Sequence, residues 1–341
     1  MLLLPRTLGK YSIPIPISAY DYWQMMILVF NTCFRSFDEE KGLQLIRETL
    51  KCGVNYVETG PWYGAGTSER TFGKALVGVP RSSYFIGSKV GRYEQATAKM
   101  FDFSTEKTEA GVDNTLQLLG LDYVDLIQVH DPTFAPDISV VIKETLPVLE
   151  KAVKDGKARH IGLADYDIDL MKEIIEESDV KISSVLSYAK STLCDNRLQN
   201  YTSYFKSKGV GVINAAATGM GLLSNHGPQP WHPASDDIKA ICKRASEYYK
   251  QNVELARLAT WFTLTQPGID TNICGFYNVE QLRDTVDVLN NGLTGHEQQV
   301  LHDIQLRHGP SWSWTWFTNG DPCLSFHLNS LEPSINLSFI L

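Results

Sequence analysis

The stretch GVNYVETGPWYGAGTSERTFGKALVGVPRSSYFIGSKV (Gly53–Val90) decides the fold. VNYVE (Val54–Glu58) reads as a short strand, and Ser68–Leu76 as a short helix. YFIGSKV (Tyr84–Val90) is a second apolar run. Strand, helix, strand in so short a span is one βαβ unit, and its two strands run parallel.

The same rhythm continues on both sides. Downstream follow a helix at Ser104–Leu119, a strand at Tyr123–His130 and a helix at Ile138–Lys154 that must accommodate Pro147. Then come a strand at Ala158–Ala164, a helix at Ile168–Glu177, a strand at Ile182–Tyr188, a helix at Asn196–Lys206 and a strand at Val210–Ala216. A long Gly-, Pro- and His-bearing connection, Thr218–Ser235, leads to helices at Asp236–Tyr249 and Val253–Thr265. The chain then reads as a strand at Thr271–Phe276 and helices at Glu280–Leu289 and His296–Arg307. Upstream, Asp38–Leu50 places Leu43, Ile46 and Leu50 on one helical face behind a cap expected at Ser36.

Seven strands are counted from Val54 onward, and only MMILVF (Met25–Phe30) can supply an eighth. Eight βα units in this length predict an α/β fold of the closed (β/α)8 TIM-barrel type, with parallel strands and extra helices. The competing doubly wound sheet carries a Gly-rich turn after its first strand, and no GxGxxG occurs here. Residues 1–36 read as an atypical segment supplying the first strand, 37–308 as the barrel, and 309–341 as an aromatic, apolar tail without assignable period.

Composition narrows the function classes. The 341 residues carry 31 Lys and Arg against 39 Asp and Glu, a formal charge of −8, which argues against nucleic acid or an anionic membrane surface as partner. The cysteines, at 33, 52, 194, 242, 274 and 323, form no CxxC pair, so no metal site is expected. Scattered single cysteines and the absence of a signal peptide or a membrane-length apolar run predict a cytoplasmic protein.

In a barrel of this kind chemistry sits at the C-terminal ends of the strands. Glu58, Lys89 and His130 end three consecutive strands, and Tyr63 lies just beyond Glu58. A tyrosine is a poor acid or base near neutrality unless an ammonium beside it favours the phenolate, and a carboxylate can hold that ammonium. A histidine can orient a carbonyl on the same oxygen. Together the four suit proton transfer coupled to hydride exchange at a carbonyl or alcohol. Taken singly each has an ordinary structural reading: Lys89 lying along a rim, Glu58 capping the next helix, His130 bonded within the fold.

GVNYVETGPWYGAGTSERTFGKAL (Gly53–Leu76), YFIGSKV and LGLDYVDLIQVHD (Leu119–Asp131) resemble the catalytic segments of the aldo-keto reductase family. GVGVINAAATGMGLLSNHGPQPWHPAS (Gly209–Ser235) is similar to the substrate side of its L-galactose and D-arabinose dehydrogenase-like branch. The resemblance covers about Phe37 to Leu306. It implies Tyr63 as acid/base, Lys89 as the modulator of its pKa and His130 as the orienting group. The family's Asp falls on Glu58, and one extra methylene is expected to crowd Lys89. A misplacement of ~1 Å costs ~100-fold in rate, so impaired turnover is one expectation. The resemblance further implies cofactor contacts at Ala164, Asp165, Ser187 and Ala215, and an adenosine-binding segment, NICGFYNVEQLRDTV, with Gly275, Phe276, Gln281 and Thr285. Trp62 and Trp231 are candidates for the substrate wall. No cation lies between Gly275 and Gln281, so NAD fits better than NADP, with NADP kept open. The expected activity is NAD(P)-dependent oxidation of a sugar at its anomeric carbon or reduction of a small aldehyde. The alternative is a cofactor-binding sensor or interaction module of the same fold with little turnover.

Overall fold

Every strand that the alternation calls for is present, and the set closes on itself. The computed structural model describes residues 38–308 apart from 231 and 250–252, together with 6–7, 14–15 and 25–28. A small antiparallel pair, β1 (Arg6–Thr7) and β2 (Pro14–Ile15), precedes the barrel. The barrel strands are β3 (Met25–Leu28), β4 (Tyr56–Glu58), β5 (Phe85–Val90), β6 (Val124–His130), β7 (Ala158–Asp165), β8 (Ser184–Tyr188), β9 (Gly211–Ala215) and β10 (Thr271–Gly275). Each pairs in parallel with its neighbour in sequence, and β10 returns to β3 through Cys274↔Ile27 and Gly275↔Leu28. Among the described residues no helix is long and apolar enough to cross a membrane.

Strand parity divides the core in two. Tyr56, Phe85, Leu126, Ala164, Leu186, Ile213, Ala215 and Ile273 form one buried cluster, inside the barrel. Their sequence neighbours Val57, Ile86, Ile127, Leu163, Val185 and Val212 face the other way, into the layer between strands and helices. Strands β4, β5, β6 and β9 are thereby buried on both faces, so they read as apolar runs rather than alternating ones. Fully burying an aliphatic or aromatic side chain is worth on the order of 1.5–3 kcal/mol, and this double layer supplies most of the fold's cohesion.

The helices follow the sequence with local adjustments. α1 (Glu39–Lys51) buries Leu45 and Ile46 and is capped by Asp38, whose side chain accepts from the Lys41 amide. The cap expected at Ser36 lies outside the described residues, and Asp38 occupies that role. α2 (Thr67–Leu76) packs tightly on the C-terminal end of α3 (Thr105–Leu119), where a Cβ at Gly73 would stand 2.6 Å from the Leu118 carbonyl oxygen. Ser104 caps α3 through the Lys107 amide. The helix expected over Ile138–Lys154 is one rod with a defect: α4 (Ile138–Val140), a π turn at Val141–Thr145, and α5 (Leu146–Lys154). Pro147 has no N–H to give an earlier carbonyl, so it sits in the first turn of α5 and the π turn absorbs the mismatch. α6 (Ile168–Glu177), α7 (Gln199–Ser207), α8 (Asp236–Tyr249), α9 (Leu255–Leu264), α10 (Val279–Asn291) and α11 (Gly295–His308) complete the outer layer. α7 begins three residues later than expected. The tail from residue 309 lies outside the described residues.

Candidate active site

One end of the barrel interior holds a cavity at the C-terminal ends of the strands. β4, β5 and β6 each turn every second side chain inward, so Tyr56 and Glu58, Gly87 and Lys89, and Gln128 and His130 share the barrel interior. Register sets them together: Glu58 pairs with Gly87, Lys89 with Gln128, and His130 with Ala164. This is how four residues spread from Glu58 to His130 come to line one cavity.

Tyr63 is placed by the loop between β4 and α2. The Tyr63 amide donates to the Gly60 carbonyl, and Gly64, Ala65 and Gly66 turn the chain in the left-handed region before the helix begins. The Lys89 ammonium lies 4.7 Å from the centroid of the Tyr63 ring, and the His130 imidazole meets that ring edge-on at 5.7 Å. Lys89 Nζ donates to Glu58 Oε1 and, at 3.1 Å, to the Thr59 carbonyl. Gln128 Nε2 donates to Glu58 Oε2 at 2.8 Å, and the Tyr56 hydroxyl donates to the same oxygen at 3.3 Å.

These groups are dry. Lys89 and Glu58 are each 1% exposed, which sets aside the reading of Lys89 as a rim side chain. Burial pushes the Lys89 ammonium below its usual value while the Glu58 charge and hydrogen bond act against that shift. Burial also drives the His130 imidazole well below the ordinary histidine value, and the Lys89 and Arg92 charges push the same way. His130 is therefore a neutral ring at physiological pH.

A second buried group stands beside it. Arg92 Nη1 donates to Asp131 Oδ2 at 2.7 Å, and its guanidinium lies 3.7 Å over the Trp62 ring. Asp131 adopts φ 55°, a left-handed turn that swings its carboxyl into the cavity wall just after His130. Asp165, at the end of β7, accepts from the Thr133 amide and from the Asp167 amide, each at 2.8 Å. Burial and the nearby Asp131 charge push its carboxyl well above the usual range despite those two donors.

The remaining expected residues divide. Ala164, Asp165 and Ala215 line the cavity, with Leu186, Tyr188 and Ile273 completing its apolar side. Ser187 is fully buried on the opposite face of β8 from Leu186 and Tyr188, and its Oγ has no hydrogen-bond partner. Trp62 is 0% exposed beneath Tyr63 and Arg92 and is not part of the cavity lining. Gly275 is exposed at the end of β10, and Phe276 packs on Leu45, Val54 and Leu282. Gln281 Oε1 accepts from the Tyr277 amide, and Thr285 lies half-buried one turn further along α10. Trp231 lies outside the described residues. Sequence reading passed over Tyr56, Gln128, Arg92, Asp131, Tyr166 and Tyr188. Parity alone could have found the first two, each two residues before a candidate already chosen, whereas the others depend on how the strand ends turn.

The Aldo/keto reductase family model matches residues 29–304. L-galactose dehydrogenase of Arabidopsis thaliana is 33% identical over 291 residues, which is 84% of this chain and 90% of that protein. D-arabinose 1-dehydrogenase of Saccharomyces cerevisiae is 31% identical over 293 residues, 79% of this chain and 85% of that one. Among solved structures, the holo form of an aldo-keto reductase from Bacillus halodurans superposes with a TM-score of 0.70 at 24% identity, covering 89% of this chain and 96% of that one. A glycerol dehydrogenase from Gluconobacter oxydans gives 0.68 at 22%, covering 90% and 96%; at this identity both likenesses speak for the fold.

Proposed function

The chain belongs to the aldo/keto reductase family, and on that premise we propose that it is an NAD-dependent aldose dehydrogenase that oxidises a sugar of the L-galactose or D-arabinose kind at its anomeric carbon. The observation that carries this reading is the dry Glu58–Lys89 pair set against the ring of Tyr63, with His130 packed on the same ring.

The residues present fit a nicotinamide dinucleotide. One side of the cavity is apolar and built partly from two alanines, Ala164 and Ala215, a lining whose chemistry would suit a nicotinamide ring. Asp165 would stand near its carboxamide. The segment from Gly275 to Gln281 leads into the N-terminus of α10, and the start of a helix suits a phosphate or ribose. That segment holds no cation, the nearest in sequence being Arg283, which is the basis for preferring NAD over NADP.

A bound nicotinamide supplies the hydride acceptor, or in the reverse direction the donor. The protein supplies the proton chemistry. Tyr63 takes the proton of the anomeric hydroxyl at its phenolic oxygen while hydride leaves the same carbon, and the sugar becomes its lactone. Lys89 makes the phenolate accessible, because an ammonium at this distance favours the charged form of the phenol. Glu58 keeps that ammonium charged and in place. His130, neutral, offers a hydrogen bond that orients the substrate oxygen without competing for its proton. Run backwards, the same set donates a proton to an aldehyde oxygen.

Spectrophotometry at 340 nm with NAD and either L-galactose or D-arabinose tests the reading, alongside NADH with a small aldehyde. Turnover that vanishes in Tyr63→Phe while cofactor affinity is kept supports it. Cofactor binding without turnover of any of these substrates would favour the sensor or interaction module instead.

A further inference from the structure

Glu58 occupies the position where the family resemblance places an aspartate, and the barrel interior around it is arranged for the longer acid. Two donors converge on Oε2, Gln128 Nε2 at 2.8 Å and the Tyr56 hydroxyl at 3.3 Å, which leaves Oε1 to Lys89. All four side chains are buried at 1% exposure or less. The Tyr56 hydroxyl reaches Oε2 only because the residue beside it is glycine. A Cβ at Gly87 would stand 2.1 Å from the Tyr56 oxygen, 3.0 Å from its Cζ and 3.6 Å from Glu58 Cγ. Gln128 has a similar allowance from its register partner on the neighbouring strand, since a Cβ at Gly162 would approach its Cγ to 3.0 Å.

We propose that Tyr56, Gln128 and Gly87 form a positioning cradle for the Glu58 carboxylate, so that the longer acid is the fitted partner of Lys89 rather than a displaced substitute for aspartate. The proposal rests on the reading above that Lys89 tunes Tyr63. A carboxylate with one oxygen fixed by two donors has its torsions set, and its other oxygen can face only the ammonium. A shorter acid at position 58 would withdraw from both donors. The Tyr56 hydroxyl and the Gln128 amide would then be buried without an acceptor, and Lys89 would lose its fixed counter-charge. Tyr56 is held as a donor, because burial and the Glu58 charge push its hydroxyl well above the usual tyrosine value.

The test is a double-mutant cycle on the full-length protein. Turnover of L-galactose or D-arabinose with NAD is followed across pH, and the Tyr63 13Cζ resonance is titrated in tyrosine-labelled protein, assigned with Tyr63→Phe. Glu58→Asp is expected to lower kcat by about tenfold or more with KM little changed, and to raise the titration of Tyr63 by about one unit. Gln128→Leu and Tyr56→Phe should move the same readouts in the same direction by smaller amounts. In the Glu58→Asp background, Tyr56→Phe should add less than about twofold, because the hydroxyl has already lost its acceptor. Three results would overturn the proposal. One is turnover in Glu58→Asp equal to or above the wild type. The second is an unmoved Tyr63 titration in Gln128→Leu and Tyr56→Phe while thermal stability falls, which marks a structural role only. The third is effects that simply multiply through the cycle. Failure of the proposed function shows separately, as absent turnover in the wild type, and the Tyr63 resonance still reads the cradle in that event.

Discussion

Replacing Arg92 with methionine tests how the site tolerates its acids. The guanidinium is bonded to Asp131, and the two side chains are only 4% and 5% exposed. Methionine keeps much of the apolar contact with Trp62 and Phe101 but removes the charge. Removing one partner of a buried pair costs roughly 3–5 kcal/mol, because the other charge stays in a dry place. For a domain of this size each kcal/mol moves Tm by roughly 2–4 °C, so a fall of about 6 °C or more is expected at pH 7. The variant can escape part of the cost by protonating Asp131, whose carboxyl burial already raises and Arg92 holds down. Its native state then binds a proton that the unfolded chain releases above the ordinary aspartate value. The deficit relative to wild type should therefore shrink as pH falls from 7 to 5, by up to about 1.4 kcal/mol per unit. Differential scanning calorimetry at both pH values reads this directly. Arg92→Met/Asp131→Leu should be more stable at pH 7 than Arg92→Met alone. Equal stability of the single and double variants, or a deficit that does not change with pH, would refute the argument that an uncompensated Asp131 charge is the cost.

Three further outcomes are expected. Tyr63→Phe should remove most turnover while leaving the dissociation constant for NAD within about twofold, as measured by fluorescence titration, since the hydroxyl acts on the substrate; wild-type turnover in this variant would exclude Tyr63 as the proton carrier. Competitive titration should show NAD binding more tightly than NADP, and a tenfold preference for NADP, about 1.4 kcal/mol, would mean that another loop supplies a phosphate contact. Gly73→Ala should destabilise the fold by about 1–3 kcal/mol in urea unfolding without altering KM, because its methyl would press on the Leu118 and Leu119 carbonyls of α3, far from the cavity chemistry.

Periodicity along the chain is enough to give the barrel and to bring Glu58, Lys89, His130 and Tyr63 toward one mouth. Apolar strands alternating with amphipathic helices admit few arrangements once the strands must be parallel and covered on both faces, and the end of each strand then marks the mouth. That is why Glu58, Lys89, His130 and Tyr63 were legible as one group despite their separation. Counting βα units points to Met25–Phe30 as the eighth strand, and the strand forms over Met25–Leu28. What the tertiary structure alone decided is local and steric. The withdrawal of Trp62 into the core under Arg92, the left-handed turn that brings Asp131 to the cavity, and the facing of Ser187 away from it depend on how each strand end bends, which no linear spacing records. The partnership of Glu58 with Tyr56, Gln128 and Gly87 depends on barrel stagger. Residues on three different strands reach one carboxylate only after register has fixed which side chains share a level, and a glycine's missing Cβ carries meaning only once a hydroxyl is seen to occupy its place.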